Sequence, residues 1–409
     1  MNQVIDHTTL EFPKSSKKLA VAVSGGADSM CLAYLCYQYS LLQKADMVAL
    51  IVDHGLRAES SQEADWVRNF LEKKGVRAEI LVWQGNKPKR NIHQHARSAR
   101  YKLLTNYCKA NDIEYLLVAH NLEDQAETVL LRIYRGSGID GISGIARKVK
   151  MNGITIMRPL LKCSRKHIES TLEQAGWEWV NDPSNINLKY SRTQVRNLLN
   201  GLEEKDVWVN RLCLLAENAS RARLYLEKET RKAIDSIVTV QFYGYALIDQ
   251  EGFCALEEEI ALRTLSYCLK KISGNAYPPR FDSLKRVFKL IKRKHKIAAT
   301  LWGCELKQKK HNIVIYRELK AIEAFRPLDE NLVWDKRYKI KPLPGAYIGC
   351  LGSAGWKIIK AKVAAKNKPV APFASIFYTC PALFDKNGNV IATLFYNNKN
   401  YFQSLICES

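Results

Sequence analysis

Acidic side chains are the scarce charge in this sequence: 41 Asp and Glu stand against 63 Lys and Arg, a formal net charge of +22. Such an imbalance exceeds what solubility needs and sets up a field that attracts polyanions, nucleic acid first among them. An anionic membrane surface would answer to the same charge. However, no run of about 18 apolar residues is present to span a bilayer, and the polar, acidic N-terminus lacks a signal-peptide core. The expectation is a cytoplasmic protein with no membrane partner. Cysteine is not rare, at 11, but no two form a Cys-x-x-Cys pair. That absence argues against a zinc ribbon and a disulfide framework, so Cys31 and Cys36, in an apolar helical stretch, read as packing. Internal repeats and low-complexity tracts are also absent. What remains is an ordinary globular balance, 47% hydrophobic and 25% charged over 409 residues, enough for two or three domains.

The first half alternates short apolar runs with amphipathic ones, the pattern of parallel strands joined by crossover helices. Strands are predicted at 18–23, 47–52, 76–82 and 115–119. Ser60 and Glu63 have capping-box spacing ahead of the apolar face of Trp66, Val67, Phe70 and Leu71. From about residue 203 helical periodicity takes over, with Leu262, Leu265, Leu269 and Ile272 at helix spacing. Beyond about 321 come short β-rich runs, 356–359 and 390–395 among them, and Asn387-Gly388 is a hairpin signal. The expected fold class is α/β: a Rossmann-like parallel sheet domain over 1–202, a helical, basic domain over 203–320, and a small β-containing domain over 321–409.

The most informative segment is Ser24-Gly25-Gly26-Ala27-Asp28-Ser29, where an apolar strand ends and a helix begins. Two glycines allow a sharp turn and close approach, so successive N–H groups and the helix N-terminus can face phosphate oxygens. Ser24 and Ser29 add hydroxyls. There is no lysine of a Walker loop and no dinucleotide spacing. The segment resembles the PP-loop of ATP pyrophosphatases, which implies ATP as the cofactor, cleavage between the α and β phosphates, and a fold of the PP-loop type. Asp28 is then a candidate for holding Mg2+ or organising phosphate, against a plainer role as a helix cap.

The second strand ends in Val52-Asp53-His54-Gly55-Leu56-Arg57, at the edge where open parallel sheets place ligands, making Asp53 and His54 nucleotide-site candidates. Then follow Ala96-Arg97-Ser98-Ala99-Arg100-Tyr101, the junction from Ala119-His120-Asn121 through Glu123-Asp124 to Glu127-Thr128, Arg135-Gly136-Ser137-Gly138 and Arg158-Pro159-Leu160-Leu161. Asp182-Pro183-Ser184-Asn185 and Ser191-Arg192-Thr193-Gln194-Val195-Arg196 complete the series. In this order, over roughly the first 200 residues, it closely resembles the tRNA(Ile)-lysidine synthetase family; later segments match only in layout and in Trp334-Asp335-Lys336-Arg337. Members join free lysine to C2 of the wobble cytidine of a tRNA(Ile) with a CAU anticodon, changing its codon from AUG to AUA. Three positions depart from the family's usual pattern: Glu123, Asn181 and Thr193.

Cytosine C2 carries a poor leaving group, so attaching an amine needs ATP first to adenylate the C2 oxygen. Loop amides, Mg2+ and arginines could stabilise the charge that builds on phosphate; Arg97, Arg100, Arg192 and Arg196 are the arginine candidates, with surface ion pairs as the plain alternative. The lysine amine then has to lose a proton. His120, Asp124 and Glu127 share one helix face if the helix begins by residue 120, and that face could hold the lysine and accept its proton. The plain alternative is an acidic helix N-terminus satisfied by its dipole. His93 and His95 point to different sides of a helix and make a poor zinc pair.

Residues 281–320 hold twelve Lys or Arg against three Asp or Glu, a candidate RNA-backbone surface. Segments 135–144 and 182–190 are candidates for elements closing over the site. Rival readings are a tRNA thiolase on the same loop, a small-molecule synthetase of the GMP or asparagine type, and a noncatalytic tRNA binder.

Overall fold

The computed structural model describes residues 4–13, 16–56, 60–85, 87, 92–180, 191–293, 297–328, 330, 332–363 and 369–406. The chain divides into two compact units, Met1–Arg223 and Leu224–Ser409.

In the first unit, strands β1 (Lys18–Val23), β2 (Asp46–Asp53), β3 (Ala78–Val82) and β4 (Tyr115–Leu117) alternate with helices α1 (Ala27–Gln43), α2 (Ser60–Lys73) and α3 (Ile92–Ala110). After β4 come α4 (Leu122–Tyr134), α5 (Ile139–Ile142), β5 (Lys148–Met151), β6 (Ile154–Met157), α6 (Arg165–Ala175), α7 (Ser191–Asn200) and α8 (Lys205–Ile237), in which the boundary between units falls. The sheet order is β3-β2-β1-β4-β6-β5. All pairs are parallel except β5 with β6. The parallel α/β architecture expected from the alternating runs is therefore present. The β5–β6 hairpin was not read from the sequence, although Asn152 and Gly153 at its turn, with φ of 51° and 81°, are a two-residue hairpin signature.

Strand period decides what packs where. Leu19, Val21 and Val23 of β1 bury against α1, α2 and α6, whereas Ala20 joins Val48, Leu50 and the α3 residues Tyr101, Leu104 and Cys108 on the other face. The chain order reverses direction between β1 and β4. In open parallel sheets that switch point leaves a crevice beyond the carboxyl ends of the two strands. The turns that follow β1 and β4 carry Ser24–Ser29 and His120–Asp124.

The second unit contains β7 (Val238–Gln241), β8 (Tyr245–Asp249), α9 (Gln250–Ala255), α10 (Glu258–Ser273), α11 (Phe281–Lys292), β9 (Ala298–Leu301), β10 (Cys304–Lys309) and β11 (Asn312–Arg317). The strands form an antiparallel sheet, β7-β8-β11-β10-β9. Leu262, Leu265, Leu269 and Ile272 are buried on α10 as their spacing predicts. The sheet comes in addition to the expected helices; its strands are short and, as in Cys304-Glu305-Leu306-Lys307, alternate buried and partly exposed residues, a weaker signal than α10's. Further on, Pro381–Phe384 pairs antiparallel with Val390–Thr393 across Asn387-Gly388, as that dipeptide predicts. The run 356–359, read as β-rich, lies instead in a helix, Gly352–Lys362, where Gly355, Trp356 and Ile359 form the buried side. Tertiary packing of that face overrides the β preference of Trp and Ile. Residues from 246 to 406 share one buried cluster.

Candidate functional site

The turn after β1 has the features its sequence demands. Gly25 sits at φ +86°, and a Cβ there would lie 2.7 Å from Val67 Cγ2, so a side chain is excluded by both conformation and space. A Cβ on Gly26 would meet nothing within 4 Å; this is open ground at the N-terminus of a helix that no side chain caps. Ser29 braces the turn from inside, its hydroxyl donating to Gly26 O at 2.9 Å and accepting from Ser24 N at 3.1 Å. The helix N-terminus and its amides are thus exposed to an anion.

Asp28 projects from the first turn of α1. Its Oδ1 accepts from Asn121 Nδ2 at 2.9 Å, and its Oδ2 lies 3.5 Å from Arg165 Nη2. Burial raises the Asp28 carboxyl above its ordinary value, opposed by the Asn121 hydrogen bond and Arg165 and reinforced by the charge of Asp124. Asp28 is therefore not a simple helix cap.

Asn121 also caps α4: its Oδ1 accepts from Asp124 N at 2.8 Å, and Asp124 Oδ2 accepts in return from Asn121 N at 3.2 Å. The helix consequently begins at Leu122, so His120 lies ahead of the cap. The single helix face expected to carry His120, Asp124 and Glu127 is not formed, because Asn121 in the extended conformation turns the chain before the helix starts.

Asp124 and Glu127 face α7. Arg192 donates to Asp124 Oδ1 at 2.7 Å and to Glu127 Oε2 at 2.9 Å, and Arg196 donates to Glu127 Oε1 at 2.6 Å. Glu127 is buried, and Asn121, Asp124 and Glu127 bring a chain of polar groups from Asp28 to α7. The hydrogen bonds that Arg196 donates to Glu127 raise the guanidinium above its usual value. Glu123, one of the departures from the family pattern, accepts from the Arg165 backbone N–H at 3.1 Å and so anchors the start of α6.

The remaining residues group on the α3 side. Arg97 and Arg100 stack over Tyr101, their Cζ atoms 5.2 and 5.6 Å from its ring centroid. Arg158, immediately after β6, is buried, donates to Ala146 O at 2.6 Å, and has an Nε with no partner among the described residues. His120 Nδ1 likewise has none. Burial, with Arg158, Arg97, Arg192 and Arg100 around it, pushes the His120 imidazole down to about 3, so it stays neutral and is unsuited to taking a proton from an amine. His54 is also lowered, by burial and Arg100. Asp53 is occupied locally, accepting from Gly55 N at 2.8 Å, Ser60 Oγ at 2.9 Å and Ser61 Oγ at 2.7 Å. Its carboxylate holds the β2–α2 turn.

Arg57, Asn181 and segment 182–190 lie outside the described residues, as does the His93 side chain, so the His93–His95 pair is not described. Three residues that no role had been given from the sequence emerge: Asn121, Arg158 and Arg165. The first two stand in the quoted motifs; Arg165 had no signal beyond Ser164, a helix cap before it.

As to metal, no group of three or more His, Cys, Asp or Glu converges among the described residues. Asp28 with Asp124 nearby, beside a phosphate-ready turn, fits magnesium, which takes one or two carboxylates and completes its shell with phosphate oxygens and water.

Residues 1–202 match the PP-loop domain family. A tRNA(Ile)-lysidine synthase of Wolbachia pipientis wMel is 39% identical over 94% of this chain and 90% of its own length. One from Ruegeria pomeroyi is 32% identical over 87% and 84%. Among solved structures, the U34-tRNA thiolase NcsA of Methanococcus maripaludis is 21% identical, with a TM-score of 0.43, over 50% of this chain and 74% of that one. With an ATP-using PP-loop domain and lysidine synthase relatives matched over most of their length, the chain is an enzyme that belongs to the tRNA(Ile)-lysidine synthase family.

Proposed function

We propose that this enzyme ligates free lysine to C2 of the wobble cytidine in a tRNA(Ile) with a CAU anticodon, in two steps. The cytidine O2 attacks the α-phosphorus of ATP and pyrophosphate leaves; a lysine amine then attacks C2, AMP departs with the oxygen, and the amine gives up a proton. The observation that carries this reading is the placement of the Ser24–Ser29 turn and the Asp28–Asn121–Asp124 chain at the sheet's switch point, in a chain so closely related to lysidine synthases.

The first step needs negative charge held on phosphate. The open N-terminus of α1 serves the pyrophosphate, and Arg165 stands beside it. Magnesium held by Asp28 would neutralise phosphate charge there. Arg192 and Arg196, engaged by Asp124 and Glu127, set the position of these acids, which attract the lysine ammonium. Taking the bound amine out of water would disfavour its charged form and ease loss of its proton.

Holding the tRNA falls in part to the basic stretch 281–320. Helix α11 buries Leu284, Val287, Phe288 and Ile291 and leaves Arg286, Lys289, Lys292 and Arg293 exposed. Lys292 is committed to the Cys254 and Leu256 carbonyls and Lys285 to Glu258, so Arg286, Lys289 and Arg293 are the residues offered to phosphates. A thiolase is disfavoured because burial raises the thiols of Cys31, Cys108, Cys163 and Cys213 in the catalytic unit, the opposite of what a sulfur nucleophile needs.

The test is incubation with ATP, magnesium, radiolabelled lysine and a CAU tRNA(Ile). Label that survives mild alkaline deacylation and disappears with a C-to-U change at the wobble base is the expected result. Pyrophosphate release without stable label would move the chemistry to another nucleophile, and silence in both would leave only a tRNA binder.

A further inference from the structure

The phosphate-ready turn contains one peptide group that its own residues do not hold. The Gly25–Gly26 unit lies between two residues without a Cβ, so little resists its rotation. Which way it faces matters, because Gly26 is the N-cap of α1 and its N–H has no partner among the described residues. Ser29 does not fix it: the Ser29 hydroxyl binds Ser24 N and Gly26 O, the groups on either side.

The hold comes from far along the chain. Helix α6 ends at Ala175, Gly176 takes φ +62°, and Trp177 N closes the helix on Leu172 O at 3.0 Å. Trp177 is then buried between α1 and α2, its ring centroid 5.4 Å from that of Tyr34 and 5.7 Å from that of Phe70. Lys74, just beyond α2, donates to Gly176 O at 2.9 Å. From this anchor the chain reaches Val180, whose N–H donates to Gly25 O at 2.9 Å. Val180 Cγ2 stands 3.7 Å from the place a Cβ on Gly25 would occupy, so the two segments are in close contact.

A trans peptide is planar, with its C=O and N–H on opposite edges. By binding the carbonyl edge, Val180 turns the Gly26 N–H away from itself and leaves it unbonded at the open helix N-terminus. Resting on the reading that the Ser24–Ser29 turn takes the phosphates of ATP, we propose that Val180 is a positioning residue whose backbone N–H locks the Gly25–Gly26 peptide with the Gly26 N–H presented to a phosphate oxygen. Without the lock the peptide flips and offers the phosphate a carbonyl oxygen, which repels it. Only a fraction of the enzyme is then competent to bind, and the apparent affinity for ATP drops by that fraction. Bound triphosphate holds the N–H itself, so the rate at saturating ATP is kept.

The experiment measures tRNA-dependent pyrophosphate release against ATP concentration in the full-length wild type, in Val180→Pro, which has no N–H to donate, and in Val180→Ile, which keeps it. Thermal unfolding identifies folded variants; should Val180→Pro fail to fold, replacement of Val180 by α-hydroxyisovaleric acid, which keeps the side chain and removes only the N–H, carries the test. The expected result without the N–H is a KM for ATP raised about 3- to 10-fold, the size expected for one neutral backbone hydrogen bond. The kcat at saturating ATP and the KM for tRNA should stay near their wild-type values, and Val180→Ile should restore the KM for ATP. An unchanged KM for ATP without the N–H would overturn the proposal. So would an equal rise in both variants, which would assign the effect to side-chain packing, or a fall in kcat alone. Absence of pyrophosphate release by the wild type would reject the ATP reading and the lock with it, a result seen without any variant.

Discussion

Asn121 donates its side-chain amide to Asp28 at 2.9 Å, joining two turns that lie 93 positions apart in the chain. The same side chain accepts from Asp124 N, so one residue caps α4 and orients the carboxylate beside the phosphate-binding turn. Replacing it should separate these duties. Asn121→Ala loses the cap, at about 1 kcal/mol, and frees Asp28. Asn121→Asp keeps a good cap but sets a second carboxylate against Asp28. Both variants should lose stability, Asn121→Asp through repulsion between the Asp28 carboxylate and a second one at the buried position 121; the expected outcome, measured where each variant is folded, is that Asn121→Asp has the greater loss of tRNA-dependent pyrophosphate release. Equal activity in Asn121→Asp and wild type would show that the Asp28 contact has no part in the first step.

How legible all this was in the sequence depends on range. The Ser24–Ser29 turn could be read because glycine, strand and helix follow one another directly. Arg192, Arg196, Asp124 and Glu127 could be named, but their mutual pairing joins positions 65 to 69 apart, which no local pattern reports. Asp53 looked like a ligand residue from its place at a strand end, but three local donors occupy it. His120 was assigned to a helix face because the pattern does not say which of two adjacent polar residues caps; Asn121 does, and one residue's shift removes the face.

Asp28 makes a prediction about stability. Its folded pKa lies above the ordinary 3.8 because of burial. The folded state therefore binds the proton more tightly than the unfolded chain, and stability falls as pH rises from 3.8 through the folded value. The penalty is absent in stronger acid and complete at neutral pH. Asp28→Asn should accordingly raise the urea midpoint at pH 7.5, leave it unchanged at pH 3, and abolish pyrophosphate release. A lower midpoint at pH 7.5 would mean that the Arg165 contact outweighs burial.

His120 has the opposite sign. Its folded value of about 3 lies below the ordinary 6.5, so the unfolded state takes up the proton first and stability is lost as pH falls from 6.5 towards 3. Arg158, Arg97, Arg192 and Arg100 all oppose its charge. His120→Gln should move the acid-unfolding midpoint to lower pH. Ligation by the wild type should show no inflection near 6.5 from this residue; an inflection that the substitution removes would place a protonatable His120 in the reaction.

In the second unit, Asp335 is enclosed by two arginines, accepting from Arg317 Nε and Nη2 at 2.9 Å and from Arg337 Nε at 2.6 Å. All three are nearly inaccessible, and Arg337 Nη1 has no partner among the described residues, so the group has little hydrogen bonding in reserve. Asp335 and Lys336 both adopt positive φ, 46° and 58°, at the turn of the hairpin pairing Leu332–Trp334 with Tyr338–Ile340. Asparagine tolerates that conformation as aspartate does, which makes Asp335→Asn a test of charge alone. Removing the anion strands two buried guanidinium groups, and breaking a buried ion pair costs about 3–5 kcal/mol. Urea unfolding should show a loss of that size. An unchanged midpoint would mean that the arginines find water or another acceptor, so that the Trp334-Asp335-Lys336-Arg337 motif is retained for the turn and not for the ion cluster.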